Sequence, residues 1–564
     1  MKRLKTLTAG LIAFTLAAVV SGCKKTDETK NDNFINSLAV VRFSEGERVS
    51  EAKKVTEEVF FRDENSVKNY VGKISGGKAN YTTVTLEVCE LKTSVKRYLP
   101  AYKLINGEYE LINEEGYDNR ITGENGEVLS DGENSGRFIA EQELVREIAG
   151  SLRTDLPNDG DGDGFADLVT VVFDLKSQDA DTVLALASSG IFNAHQGEYY
   201  TGKFSYGDEE ITFGEAKVGD AKIGKYVFMP LGSIYKEGQK YYATACHETL
   251  HAFGAADMYT ADGLTEPVGA IDVMGNVPLE KLTVNPVYPL SYTREKLGFI
   301  GGENLGAVIK SGEYTLFSTE SAKSGIKAYK IVPPDFLERR DCFYVEYRKS
   351  EGDGKPNFDG LIIYRVNGGN GYIQRDGGYG KAYNGNLYGE NEVYVFRFKD
   401  ANEDDKTFDG ANCFATLSSQ SGRTTFGSET NGENLITYSD KTNSGIVVKF
   451  LKNNSDGSVT FSVKLPEYDV KTPAEVDYRE IFVDEGGNLK LDFYRPLASG
   501  NAYVVQTENP IIRPSAKKIK SGKYGSVKVL PSAFMETELS YEGNYVYLAF
   551  DDTDEIKSYV LKKS

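Results

Sequence analysis

Histidine and cysteine are scarce in this sequence of 564 residues, and tryptophan is absent. The chain has three histidines and five cysteines, so few side chains are available as nitrogen or sulfur ligands of a metal. The cysteines lie far apart and form no CxxC motif, which excludes a paired-cysteine metal site. A disulfide is compatible with export, but its connectivity cannot be read from sequence.

The chain also lacks an excess of basic residues. Lysine and arginine number 65 against 84 acidic residues, so the formal net charge is −19, and no basic patch stands out. We therefore expect no binding of nucleic acid. The acidity suits calcium-binding loops and solubility outside the cell. Beyond residue 20, no stretch is apolar for long enough to cross a bilayer.

The N-terminus has the pattern of an export signal. Basic residues precede an apolar stretch at 7–20, which is too short for an ordinary spanning helix. The following Val20-Ser21-Gly22-Cys23 resembles a bacterial lipobox. This predicts a lipoprotein signal peptide over 1–22, lipid attachment to Cys23 and an exported protein held at a membrane. The alternative is a plain secretory signal with an incidental cysteine.

Two of the three histidines belong to one short motif. His247 and His251 are four residues apart, so on a helix they lie on the same face and can bind one zinc ion. Glu248 lies beside the first histidine, where it can act as a general base toward a water on the ion. The alternative is an ordinary buried helix whose two histidines have only structural roles.

A third ligand is predicted just after the helix. Gly254 can end the helix and turn the chain back, so that Asp257 presents a carboxylate to the metal. The fourth position would then stay open for water, as in catalytic zinc sites. The alternative for Asp257 is a surface carboxylate in the loop.

A second metal site is predicted upstream, in an aspartate- and glycine-rich loop. Carboxylates alternate with glycines there, a spacing that can wrap several oxygens around calcium. The loop is not a complete EF-hand, because Thr170 stands where that motif needs glutamate. The alternative is an acidic surface turn. The predicted calcium ligands are Asp159, Asp161, Asp163 and Asp167.

Two further residues complete the set of candidate site residues. Met274 lies in a turn flanked by glycine, soon after the zinc helix, and we interpret it as a Met-turn forming an apolar floor beneath the metal. The alternative is a core methionine, which has the same packing role. His195, the remaining histidine, has two interpretations of equal weight, as a structural residue or as part of a substrate site.

The pattern of elements changes near residue 305. Before it, helical periodicity alternates with strand-like runs, which predicts an α+β zinc peptidase domain at 37–305, after a flexible linker at 23–36. After it, short β runs predict a β-sandwich or jelly-roll domain at 306–466 and a small C-terminal β-sandwich at 467–564. A loop rich in glycine, asparagine and tyrosine is expected over 368–391.

Several stretches carry a family resemblance when taken together in chain order. They are Ser66–Tyr70 with Gly76-Gly77-Lys78, the aspartate loop before Leu168–Phe173, His247–Asp257, Asp272–Gly275, Ser291–Phe299, Phe343–Arg348 and Gly360–Asn367. With these stretches the chain resembles the immune inhibitor A family of secreted bacterial zinc metallopeptidases, which are related to the metzincins. The resemblance covers residues 37 to about 465; its zinc motif is specific and its other stretches are supportive.

The resemblance implies a metzincin-like fold and endopeptidase activity, with His247, His251 and Asp257 on zinc and Glu248 as base. The chain departs from the family at Asn276, where related enzymes often have an aromatic residue, so no tyrosine can be assigned to oxyanion stabilisation. No separate pro-segment is recognisable before Ser37.

We therefore expect a lipid-anchored, calcium-stabilised zinc endopeptidase that acts on proteins or peptides. Two alternatives stay open, a surface adhesin with a vestigial protease domain and a zinc amidase acting on wall peptides. The sequence predicts neither the cleavage preference nor the oligomeric state.

Overall fold

The computed structural model describes residues 33–466 with internal gaps, together with four strands between 502 and 560. Gaps of more than six residues within 33–466 fall at 112–120, 176–185, 260–266, 276–285, 332–340, 350–358, 368–392 and 399–416. The predicted signal peptide, Cys23, Asn276 and the loop at 368–391 therefore lie outside the described residues. The chain divides into two compact units, one spanning 32–468 and one comprising 1–31 and 469–564.

Helices are few and short in the described part of the chain. The longest has 18 residues and lies before the aspartate loop. The helices are α1 (Ala52–Glu57), α2 (Val67–Ile74), α3 (Asn134–Ser151), α4 (Ala243–Ala252) and α5 (Ser291–Lys296), with a π-helical turn Glu58–Arg62 and 3₁₀ turns Val95–Tyr98, Leu231–Ser233 and Gly269–Ile271. None of these helices is long and apolar enough to cross a membrane.

Strands dominate the rest of the described chain. Residues 33–240 contain β1 (Asn33–Arg42), β2 (Asn80–Thr85), β3 (Cys89–Glu90), β4 (Tyr102–Ile105), β5 (Glu108–Leu111), β6 (Ile121–Thr122), β7 (Val128–Ser130), β8 (Phe165–Ala166), β9 (Leu168–Phe173), β10 (His195–Glu198), β11 (Gly202–Tyr206), β12 (Glu209–Phe213), β13 (Lys217–Val218), β14 (Ala221–Ile223), β15 (Lys225–Pro230), β16 (Tyr235–Lys236) and β17 (Gln239–Lys240). Residues 305–464 contain β18 (Leu305–Val308), β19 (Gly312–Leu316), β20 (Ala328–Ile331), β21 (Asp341–Lys349), β22 (Asp359–Asn367), β23 (Val393–Val395), β24 (Thr425–Phe426), β25 (Val447–Asn453) and β26 (Val459–Lys464).

The sheet that carries the site has the order β10-β15-β9-β1-β2, with β3 also paired to β1. The pairs from β15 to β2 are parallel, and only the edge strand β10 runs antiparallel, with His195 opposite Phe228. All six residues of β9 are buried, which explains why five of them are apolar.

Alternate residues of β9 enter two different cores, because successive side chains point to opposite faces of a sheet. Leu168 and Val172 pack in one core with residues of α2 and α4. Val169 and Val171 pack in the other with residues of α3. The sheet is therefore covered by helices on both faces, and α4, with the zinc motif, lies on one of them.

The first strand begins earlier than predicted. Residues 33–36, assigned to the linker because of their polar composition, form the start of β1. Asn36 is fully buried, yet its amide donates to the Tyr81 hydroxyl and accepts from Thr170, both at 2.8 Å. Residues of the two neighbouring strands, β2 and β9, thus satisfy the hydrogen-bonding groups of Asn36, although its polar side chain had indicated an exposed position.

Two sheets pack against each other after residue 305. Their orders are β18-β20-β21-β22-β23 and β19-β26-β25-β24, and residues of both, such as Val345 and Phe461, share one apolar core. The other face of the first sheet is also covered. Tyr344 of β21 and Ile362 of β22 belong to the core that contains α4. The expected boundary at 305 therefore does not divide the chain into two separately packed regions. Strands β21 and β22 contribute side chains both to the core of α4 and to the core between the two sheets.

The other compact unit is described only through four strands, β27 (Ala502–Thr507), β28 (Val527–Leu530), β29 (Tyr545–Phe550) and β30 (Ile556–Val560). They form one antiparallel sheet in the order β28-β27-β29-β30. This agrees with the predicted β content of 467–564, whereas a second sheet stays a prediction.

Cysteines make no disulfide among the described residues. Cys89, Cys246 and Cys342 are buried free thiols, and Cys413 lies outside the described part. Burial raises the pKa of the Cys246 thiol well above its usual value, which keeps it neutral beside the zinc motif. Cys246 is thus a small apolar core residue.

Candidate metal centre

Helix α4 brings the two motif histidines together. It begins at Ala243, because the preceding Gln239 and Lys240 form a hairpin with β16. His247 and His251 are one turn apart, with ring centroids at 4.8 Å and Nε2 atoms at 3.1 Å. The helical spacing read from the sequence is confirmed.

The turn after α4 is built by Gly254. Its φ of +102° is unfavourable for residues with a side chain, and its N–H bonds to the His251 carbonyl at 2.9 Å. The N–H of Ala255 reaches the Leu250 carbonyl at 3.0 Å, which completes a Schellman motif. The chain therefore reverses at this point and returns toward the histidine face of the helix.

Asp257 lies where the returning chain meets the histidines. It is completely buried, and its Oδ1 is 3.0 Å from Nε2 of His247 and 3.1 Å from Nε2 of His251. The structure thus groups the three residues that the sequence nominated as zinc ligands.

Hydrogen bonds to carbonyl oxygens determine which histidine nitrogens face this group. Nδ1 of His247 lies 2.8 Å from the Val273 carbonyl oxygen, and Nδ1 of His251 lies 2.8 Å from that of Ala255. Since a carbonyl oxygen only accepts, each Nδ1 must carry the proton. In the neutral imidazoles, both Nε2 lone pairs are therefore directed at the same place as the Asp257 carboxylate.

The three ligand atoms have the spacing that a zinc ion needs. Bonds of about 2.0–2.1 Å at tetrahedral angles place ligand atoms about 3.3 Å apart. The three observed distances are 3.0, 3.1 and 3.1 Å. Three acceptor atoms at this separation repel one another unless a cation lies between them. The residues present therefore fit a zinc ion.

The Met-turn forms part of the same arrangement. Met274 is fully buried. The carbonyl oxygen of Val273 before it bonds to His247, and its own carbonyl oxygen accepts from the Met258 N–H at 2.7 Å. The Asp272 carboxylate accepts from the Met274 N–H at 2.7 Å and fixes this turn. A Cβ on Gly275 would lie 2.2 Å from the Gly269 carbonyl oxygen, so no other residue fits there. Met274 thus has the buried position expected of it.

Glu248, the predicted base, is on α4 and only 3% exposed. The structure also places an aromatic residue near the histidines that was not predicted. The ring of Tyr259 lies nearly parallel to that of His247, at an interplanar angle of 15° and a centroid distance of 6.3 Å. The sequence offers one signal for Tyr259, its position two residues after Asp257. The family resemblance points to the Met-turn for an aromatic residue, and Tyr259 was therefore not predicted.

His195 is not part of this group. It is buried on the edge strand β10, where its Nε2 lies 3.2 Å from a carboxylate oxygen of Glu141 on α3. The same glutamate accepts from Tyr226 at 3.0 Å and pairs with Arg137 at 2.7 Å. Burial alone would raise the pKa of Glu141, but its interactions with His195 and Arg137 lower that pKa overall. The structure therefore favours the structural interpretation of His195.

The aspartate loop contains the second convergent group. One carboxylate oxygen each from Asp159, Asp161 and Asp167 lies within 4.8 Å of the others. Asp163 is not in that group; it is exposed and accepts from the Phe165 N–H at 2.8 Å, which supports the turn. Of the four predicted calcium ligands, the structure thus groups three.

Asp167 anchors this loop to the main sheet. Its Oδ2 accepts from the N–H groups of Ile35 at 2.7 Å and Gly160 at 3.0 Å. Burial, together with the charges of Asp161 and Asp159, nevertheless raises the pKa of Asp167 to about 6. Negative charge is therefore crowded here, as a calcium site requires.

The chain matches no protein-family model and no curated protein sequence. An assignment of function therefore depends on the residues and geometry described above.

Proposed function

We propose that the protein is a zinc endopeptidase related to the immune inhibitor A family. The observation that carries this proposal is the convergence of His247 Nε2, His251 Nε2 and Asp257 Oδ1 within 3.1 Å, with both Nδ1 protons held by carbonyl oxygens. A purely structural helix has no need to direct three acceptor atoms at one another, and their repulsion would oppose folding without a cation.

In this proposal His247, His251 and Asp257 hold the metal. A bound zinc ion supplies a Lewis acid that polarises a peptide carbonyl and lowers the pKa of water toward ~7. Glu248 accepts a proton from the attacking water and passes it to the leaving amine. The carbonyl oxygens of Val273 and Ala255 hold the imidazole rings in the orientation that this chemistry requires.

The substrate is a protein or peptide in an extended conformation. Strand β10 is the edge of the main sheet, and α4 packs against it, so the edge runs beside the metal ligands. A peptide can add to such an edge through backbone hydrogen bonds, which do not depend on its side chains.

Calcium stabilises the catalytic region in this account. Asp159, Asp161 and Asp167 supply the carboxylate oxygens, and the hydrogen bond from Ile35 to Asp167 ties the loop to β1. An ion that binds only the folded form raises stability by mass action.

The proposed location is the extracellular or periplasmic side of a bacterial membrane, with lipid on Cys23. This part of the proposal comes from the signal sequence alone. Replacement of Cys23 by serine should release the protein from membranes on fractionation; unchanged membrane association would contradict the anchor.

Casein hydrolysis tests the activity. The full chain should cleave casein, a chelator should stop cleavage, and stoichiometric zinc should restore it. Zinc binding without cleavage of any protein or peptide would point to the vestigial adhesin. Cleavage confined to cell-wall amides would point to the amidase.

A further inference from the structure

Strand β21 carries a buried pair of opposite charges. Glu346 and Arg348 have no exposed surface, and Arg348 Nε donates to Glu346 Oε1 at 2.6 Å. The two residues are two positions apart, so they share a face of the strand with Cys342 and Tyr344. That face contributes to the core of α4, whereas Phe343 and Val345 enter the core between the two sheets.

Both charged residues hold the segment that enters α5. Arg348 Nη1 donates to the Tyr288 carbonyl oxygen at 2.9 Å. The Ser291 N–H donates to Glu346 Oε2 at 2.8 Å. Residues 288–291 are therefore held at both ends by side chains of β21.

The same segment is bonded to the Met-turn. The Leu290 N–H donates to Asp272 Oδ2 at 2.8 Å, and the Met274 N–H donates to Asp272 Oδ1 at 2.7 Å. Asp272 is completely buried, so both of its oxygens are committed to backbone groups on the two sides. Movement of residues 288–291 would therefore move the Met-turn.

The Met-turn in turn holds two of the proposed zinc ligands. The Val273 carbonyl oxygen is the partner of His247 Nδ1 at 2.8 Å. The Met274 carbonyl oxygen accepts from the N–H of Met258, the residue after Asp257, at 2.7 Å. An unbroken series of hydrogen bonds thus runs from β21 to His247 and Asp257.

We propose that Glu346, Arg348 and Asp272 are positioning residues for the metal centre, so that the β-sheet region after residue 305 is a working part of the peptidase. This inference depends on the proposed zinc site. A buried ion pair adds little net stability, because desolvation offsets the attraction between the charges. The directional hydrogen bonds of this pair instead fix the backbone that orients the ligands.

Zinc affinity of full-chain variants, measured by competition with a chromophoric chelator, tests the inference. D272N keeps the side-chain shape. It places an amide NH₂ group, which cannot accept a hydrogen bond, against one of the two backbone N–H donors that face the Asp272 oxygens. E346Q does the same between Ser291 and Arg348. We expect both to weaken zinc binding about tenfold, as changes to groups that orient ligands do. The visible spectrum of the cobalt(II)-substituted variants should change too, because it reports ligand geometry.

D341N is the matched control. Asp341 begins the same strand, is equally buried and accepts from the Ser439 N–H and hydroxyl at 2.8 and 3.0 Å. Those contacts lie outside the series that reaches the ligands, so D341N should lower the melting temperature and leave zinc affinity and the cobalt spectrum unchanged. Equal loss of zinc affinity in D341N would overturn the proposal, since general loosening would then explain the effect.

Wild-type affinity and spectra in D272N and E346Q would also overturn it. If E346Q does not fold, D272N decides alone, because it leaves the Arg348–Glu346 pair intact. Failure of the wild type to bind zinc would refute the proposed metal site itself and this inference with it. That outcome is distinguishable, because it needs no variant.

Discussion

The backbone N–H of Met258 donates a hydrogen bond of 2.7 Å to the carbonyl oxygen of Met274. This bond joins the chain that follows α4 to the Met-turn, sixteen residues later in the sequence. It places Asp257, the neighbour of Met258, against the two histidines whose rings the same loops orient. The position of the proposed third ligand is thus fixed by a backbone hydrogen bond between its own loop and the Met-turn.

Asp257 and His195 should differ in their effect on metal binding. Asp257→Ala removes a ligand and should weaken zinc binding by at least about 100-fold, because loss of an orienting group alone costs about 10–100-fold. His195→Ala should leave zinc affinity unchanged but lower the melting temperature, because it removes a side chain whose Nε2 lies 3.2 Å from the carboxylate of buried Glu141. Zinc content by mass spectrometry and thermal melting measure both effects. The reverse pattern would show that the third ligand is His195.

Calcium should protect the protein through three aspartates rather than four. In the wild type, saturating calcium should raise the melting temperature, with a stabilisation of about 2.7 kcal/mol at one hundred times Kd. Asp161→Ala should abolish the shift, since Asp161 belongs to the convergent group. Asp163→Ala should retain most of it, because that carboxylate serves the turn. Loss of the shift in both variants to the same degree would restore the four-ligand prediction.

Gly254 should resist replacement on conformational grounds. A Cβ at this position would have no neighbour within 4 Å, but the φ of +102° is strained for alanine, so Gly254→Ala should destabilise the fold by about 1–2 kcal/mol. Gly150, near the end of α3, also has open space and has no such φ, so Gly150→Ala should stabilise by about 0.5 kcal/mol. Urea unfolding measures both values. Equal effects of the two substitutions would contradict the strained turn.

Asp272 should make the stability of the zinc-free protein depend on pH. The pKa of Asp272 is raised to about 6, mainly by burial and also by the charge of Glu346. Hydrogen bonds from Leu290 and Met274 and the charge of Arg348 oppose this rise without cancelling it. A carboxyl with a raised pKa in the folded state contributes stability below its unfolded pKa of about 4, and loses it as pH rises through about 6.

The free energy of unfolding of the wild type relative to Asp272→Asn should therefore fall by roughly 2–3 kcal/mol between pH 4 and pH 7. Urea titrations at four pH values in the presence of chelator would measure this difference. A difference that stays constant, or rises with pH, would show that Asp272 is ionised throughout.

The local features of the proposed zinc site were predictable from sequence, whereas the contacts that support it were not. The spacing of His247 and His251 determines their common face because helix geometry is fixed. The turn at Gly254 follows from the φ that glycine tolerates. By contrast, the contact of Glu346 with Ser291 joins residues 55 positions apart, and periodicity carries no signal of such a contact.

The same limit explains the misplaced boundaries. Residues 33–36 have a polar sequence typical of a linker, and only the tertiary partners of Asn36 make a strand favourable there. The alternation of β21 was visible, but which core each face enters depends on elements far away in the sequence. The secondary-structure pattern does change near residue 305, from mixed helices and strands to strands. The core that contains α4 nevertheless includes residues from both sides of that position.

Replacement of Glu248 by glutamine tests the central claim most directly, with zinc content and casein hydrolysis measured on the same preparation. Glutamine keeps the shape and removes the basicity, so zinc should stay stoichiometric while turnover falls about 10²–10⁴-fold. Glu313→Gln, an exposed change on β19, should behave as the wild type in both measurements. Undiminished casein hydrolysis by the zinc-replete Glu248→Gln variant would contradict the account.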